Sequence, residues 1–297
     1  MTADGGDGTD AGSADPSTTR RAFRVAYDGT GYRGFQRQPH GDTVEDALLD
    51  ALCRLDLLDG DPQPSGARRA TPPGWAVAGR TDAGVSAVAQ TVAFDAPEWL
   101  DPRAFCGELP ADVRAWASAD APLGFHATHD ARERRYDYHL HAPEADDDAV
   151  RAAAARLSGS VDLHNLTPEE RGPGTRRDLS VGVDRDGAYL RLRATAGGFP
   201  RECVRRVASL LAAVGTGERD LGFVDRVLEG GPLSGPDGVG PAPPEPLVLA
   251  GVDYDRDFAV DRRAAATAWT VFERRRVERT TGARVAEQLR RGASRDP

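Results

Sequence analysis

Apolar positions along this chain repeat with a period of two, then near 3.6, then two again. Phe23, Val25 and Tyr27 alternate with Arg24 and Ala26, which predicts a strand. Thr43 stands where a helix N-cap would. Val44, Ala47, Leu48, Ala51, Leu52 and Leu55 follow at helical spacing, predicting an amphipathic helix packed on a sheet. Gly60 to Gly74 holds four prolines and predicts a loop. Val88 to Phe94 reads as the next strand. Ahead of all this, Met1 to Thr19 is Gly, Asp, Ser and Thr with almost nothing apolar, which predicts a disordered acidic tail over residues 1–19.

The second half of the chain repeats the alternation of periods. Tyr136, Tyr138 and Leu140 predict a strand, and Asp148 to Leu157 a helix. Ala188, Leu190 and Leu192 predict another strand. Arg201 to Val214 carries Val204, Val207, Ala208, Leu211 and Val214 on one face, so it reads as a helix with Gly215 as its stop. Leu233 to Glu245 is a Gly/Pro loop and Leu247 to Tyr254 a final strand. Arg262 to Arg291 predicts a helical extension, with Ala264 to Ala266 and Trp269/Phe272 expected to dock on the body and Arg274, Arg275 and Arg276 expected on a solvated face, contact with a nucleic acid being the alternative. Strand–helix–strand patterns on both sides of the middle predict an α+β protein. The expected division is a tail over 1–19, an N-terminal half over 20–130, a C-terminal half over 131–256 and the extension over 257–297.

Composition narrows the function classes. The chain has 297 residues, 39% hydrophobic and 29% charged, as a globular protein does. No apolar run approaches the roughly 18 residues of a membrane helix. The N-terminus lacks a basic stretch followed by an apolar one, so no secretory signal is expected and the cytoplasm is the expected location. Cys53, Cys106 and Cys203 are scattered and odd in number, which points to reduced thiols rather than a disulfide framework or metal knuckle. Net charge is −9, and all 38 basic residues are arginine. An acidic, lysine-free chain fits a very salty cytosol or a GC-rich genome. At about 1 M salt the Debye length is about 3 Å, so net negative charge does not exclude a nucleic-acid partner. Such a partner would have to be held by a local arginine-lined cleft and by shape, not by a global basic field.

One run carries candidate chemistry: Ala78-Gly79-Arg80-Thr81-Asp82-Ala83-Gly84-Val85-Ser86-Ala87. It holds Asp82 in a turn bounded by glycines, beside Arg80. Glycines permit close approach by a large ligand. An Asp that merely caps the next segment is the plain alternative. The pairs His126/His129 and His139/His141 have ligand-like spacing but no Cys cluster or third ligand, so no metal is expected. Gly29-Thr30-Gly31 is too short for a dinucleotide loop, and there is no hydrolase elbow or phosphate-binding Gly-Lys-Ser/Thr loop.

The Gly79-to-Val85 run closely resembles the catalytic signature of the TruA family of tRNA pseudouridine synthases. Tyr27 to Tyr32, Gly34-Phe35-Gln36, Gln38 and Thr43-Val44-Glu45 resemble the family's opening. Phe125-His126-Ala127 and Arg135-Tyr136-Asp137-Tyr138 resemble its centre, and Val204-Arg205 with Val214 to Gly217 its late helix and exit. The resemblance implies two related halves with mixed or antiparallel sheets, flanked by helices and joined around a central cleft. It implies isomerisation of uridine without metal or cofactor, on the 3′ side of the tRNA anticodon stem-loop, by a homodimer. It gives Asp82 the role of nucleophile or base. Arg205 becomes its salt-bridge partner, Tyr136 the aromatic at the base, and Arg80 a contact to phosphate or to the space the flipped nucleotide leaves. Alternatives are the same chemistry on another RNA, or a non-catalytic RNA-binding module. Departures from the family pattern fall at Ser86, Cys106, Thr128, Pro200, Glu202 and Cys203.

Overall fold

A computed structural model of the protein describes residues 18–39, 41–59 and 70–293. The expected tail therefore lies outside the described residues except for Thr18 and Thr19. These two already belong to strand β1 (Thr18–Tyr27), because they pair with Pro97 and Ala96 of strand β3 (Ser86–Pro97). Most of the expected Gly60–Gly74 loop also lies outside the described residues.

The architecture is α+β, built on one mixed, open sheet. In chain order its remaining strands are β2 (Ala76–Val77), β4 (Val113–Ala121), β5 (Glu133–His141), β6 (Gly159–Asp162), β7 (Arg176–Asp186), β8 (Tyr189–Ala196), β9 (Leu247–Asp253) and β10 (Ala259–Val260). They lie in the order β10-β4-β1-β3-β9-β5-β8-β7-β6, with β2 added on β3. Every ladder is antiparallel except the central one. There β3 and β9 run parallel through two residue pairs, Ser86 with Val248 and Ala87 with Leu249.

Helices cover the sheet where the sequence is apolar. Helix α1 (Val44–Arg54) starts at a capping box in which Thr43 and Asp46 satisfy each other's backbone N–H, and it buries Leu48, Leu49 and Leu52. Under it Phe23 stacks on Phe94 at 5.3 Å, with Phe105 of α2 (Pro102–Glu108) edge-on at 5.5 Å. Helices α3 (Asp147–Arg156), α4 (Cys203–Gly215) and α5 (Leu221–Glu229) cover the β5-to-β9 part.

Two local expectations change. Gly215 does not stop α4; it is the last helical residue, and a Cβ there would lie 2.7 Å from Val150 of α3, so glycine permits the helices to touch. The chain turns at Gly217, with φ of +75°. Helix α6 (Arg262–Ala293) docks through the small Ala264 and Ala268, not through Trp269, which is 69% exposed. Among the described residues no helix is long and apolar enough to cross a membrane.

Candidate active site

The Asp82 turn rests on the opening signature of the chain. Tyr27 and Thr81 share a buried hydroxyl–hydroxyl bond of 2.7 Å, Phe35 N donates to Thr81 O, and Gly84 N donates to Tyr32 O. A Cβ on Gly29 would sit 1.9 Å from the Val85 carbonyl oxygen, so only glycine permits that contact. Gly29 N also donates to Ser86 Oγ at 3.0 Å, which gives the serine at that departure a structural bond. From the sheet side, fully buried Gln90 donates to Gly79 O at 2.8 Å. The turn is thereby held by backbone and buried hydroxyls, and the Asp82 side chain is left 32% exposed.

Across the β3/β9 junction, α4 presents Arg205. Its Nη1 lies 3.0 Å from Asp82 Oδ2, and its Nε donates to Ala242 O at 2.7 Å. Ala242 N in turn donates to Arg205 O, so the Gly/Pro loop ahead of β9 fixes both ends of the arginine. A guanidinium held at two points keeps one face of the carboxylate occupied and aims the other outward. Helix α4 itself starts after Glu202, which takes a left-handed φ of +59° and is held by Arg206 at 2.7 Å.

Tyr136 comes to the same place through the sheet. Leu249 pairs with Ala87 on one side and with Tyr136 on the other, so Tyr136 stands two strands from the start of β3. Its ring is 8% exposed and meets Phe199 edge-on at 5.3 Å. A Cβ on Gly79 would lie 3.7 Å from its hydroxyl. Burial pushes its phenol up to about 12; the Arg134 charge opposes this and the Asp82 charge adds to it. The hydroxyl therefore stays protonated at neutral pH. The resemblance implies that the ring stacks on the target base; on that expectation Tyr136→Phe should retain most turnover, while Tyr136→Leu should lose roughly 1–3 kcal/mol of stacking. Steady-state assays of both variants check this, and equal, severe losses would give the hydroxyl an essential role.

Sequence reading missed Arg134. It is 8% exposed, and it donates to the carbonyls of Ala78, Thr128 and Gly197. It ties β5 to the segment leading into the Asp82 turn. Alternation carried the signal: Arg134 shares a strand face with buried Tyr136 and Tyr138.

The structure does not bring Arg80 into contact with Asp82. Arg80 is exposed, has no hydrogen-bond or ion-pair partner among the described residues, and lines a cleft of about 190 Å³ with Phe35, Trp75, His126 and Thr128. The other departures are structural in their contacts. Thr128 Oγ1 donates to Val77 O, Cys106 Sγ to Ala115 O, and buried Cys203 has its thiol pushed up to about 12 by burial. The His126 and His129 rings lie 4.2 Å apart, tilted by 35°, and burial first, then His129, lowers the His126 pKa. Among the described residues no group of three or more His, Cys, Asp or Glu could hold a metal.

A family model described as tRNA pseudouridine synthase matches residues 153–255, which includes Arg205. The tRNA pseudouridine synthase A of Natronomonas pharaonis is 58% identical over 91% of this chain and 98% of its own length. Those of Haloarcula marismortui and Halobacterium salinarum are 53% and 54% identical, over 92% and 91% of this chain and 99% and 98% of their own lengths. With such identity over nearly the whole of these haloarchaeal relatives, the chain belongs to the TruA family of tRNA pseudouridine synthases.

Proposed function

We propose that this protein isomerises uridine to pseudouridine in tRNA, at the 3′ side of the anticodon stem-loop, with Asp82 as the reacting carboxylate. The observation that carries the reading is the Asp82–Arg205 pair, 3.0 Å long and open to solvent on the Asp82 side, beside the ring of Tyr136. The reaction breaks the bond between N1 and C1′ and forms one between C5 and C1′. C5 loses a proton and N1 carries one in the product, so atoms and electrons balance within the nucleotide. Asp82 serves either by attack on C1′ to give an ester or by removal of the 2′ proton to give a glycal. The target uridine must leave its stack to reach the carboxylate, and exposed Arg80 is suited to the phosphate or to the vacated space. The chain acts as a cytoplasmic homodimer that holds one tRNA across both subunits. Mapping pseudouridine in tRNA incubated with and without the protein tests the reading. New pseudouridine in the anticodon stem-loop is expected, and its absence from every tRNA would overturn the assignment.

Net charge −9 without lysine adds an expectation about salt. Crowded carboxylates repel when unscreened, and molar salt removes that penalty. Circular dichroism should show loss of structure in dilute buffer, with activity retained near 1 M salt. Full stability at low salt, with activity falling steeply as salt rises, would show that the acidity is compositional bias.

A further inference from the structure

We propose that the distal half of α6 is an arm that binds the phosphate backbone of RNA outside the catalytic cleft; this rests on the RNA-modifying reading above. The helix has 32 residues, about 48 Å at 1.5 Å per residue. Between Arg262 and Ala293 it carries nine arginines and three glutamates, a charge of +6 in a chain of −9, which leaves −15 on everything else. Beyond Arg279, the exposed stretch from Thr280 to Ala293 holds three arginines and one glutamate, +2 in a chain of −9, and a polyanion is the complementary partner of that stretch.

The docked part ends at a defined point. Asp28, 7% exposed, accepts from Arg279 at 2.6 Å and pairs with Arg275 at 3.3 Å. Beyond it, Thr280 to Ala293 is exposed throughout except at Glu287. Arg284 has no partner among the described residues, and Arg290 and Arg291 each pair with Glu287 on the same helix. The anchor also sets the arm near the chemistry. Asp28 precedes Gly29, which abuts Val85 in the Asp82 turn.

The test is the full-length variant Arg284→Gln/Arg290→Gln/Arg291→Gln, with its fold checked by circular dichroism. On whole tRNA its KM and Kd should rise about tenfold with kcat unchanged. The slope of log Kd against log salt should become shallower by about one for each arginine that touches phosphate. On an isolated stem-loop too short to reach α6, variant and parent should bind alike. Glu287→Gln, which frees arginines on the arm, should tighten binding of whole tRNA. Unchanged Kd and slope on whole tRNA would overturn the proposal. So would equal losses on the short stem-loop, or a change of oligomeric state with RNA affinity intact, which would assign the arm to a second copy of the chain. Direct RNA binding is read without turnover, so absence of pseudouridine formation by the parent would sink the catalytic reading and leave this test standing.

Discussion

Asp82→Asn is expected to abolish pseudouridine formation while the protein folds and binds tRNA nearly as before. Asparagine keeps the shape of the side chain and can still accept from Arg205 through its amide oxygen. It cannot attack C1′ or take a 2′ proton at a useful rate. The loss in kcat should be roughly 10⁴-fold or more, the scale seen when a group that makes or breaks bonds is removed. The turn should survive, because it is held by Tyr27, Phe35, Tyr32 and Gln90 and not by the carboxylate. Single-turnover assays beside RNA binding separate the two effects. An asparagine variant that isomerises uridine near the parent rate would remove Asp82 from the chemistry.

Arg205→Leu is expected to lower kcat by roughly 10²–10³, as loss of one fixed electrostatic partner does. KM should change much less, since Arg205 is 15% exposed and turned toward Asp82 rather than outward. Leucine fills the volume but leaves Asp82 and the Ala242 carbonyl without their donor. The cost to stability should fall between the about 1 kcal/mol of an exposed pair and the about 3–5 kcal/mol of a buried one. Arg205→Lys should lie between leucine and the parent, because an ammonium restores the charge and not the two-point grip. Equal changes in kcat and KM, with no recovery in the lysine variant, would reduce Arg205 to a packing role.

The strongest local patterns in the sequence reappear in the fold. The Thr43 cap, the apolar face of α1 and the alternation in β5 and β8 are each read from neighbours within one element. The elements that escaped reading are of two kinds. Strand β4 buries Val113, Ala115 and Ala117, and alanines make too weak a contrast to stand out. Strand β7 alternates Leu179, Val181 and Val183, and α2 opens on Asp101 and Pro102, so these signals were present and unused. The site is a different matter. Asp82 and Arg205 lie 123 positions apart, and nothing local separates Arg205 from Arg201 or Arg206. Only the order of motifs along the chain pointed to that pair. At Gly215 a packing glycine and a stop glycine look alike in sequence until the neighbouring helix is in place.

The route of the chain through the sheet has a consequence for its synthesis. The chain enters the β5-to-β9 part at Glu133 and leaves it at Asp253, and these two residues are partners on one rung. It then returns to β4, where Ala259 and Val260 pair with Ser118 and Ala117. On the ribosome β4 emerges long before β10 and α6, so its outer edge waits unpaired while the intervening strands are made. An open strand edge is a template for pairing with other chains. A stretch translated late thus pairs with Ala117 and Ser118 on the edge of an early strand, and a nascent chain stalled before Ala259 leaves that part of the edge unpaired.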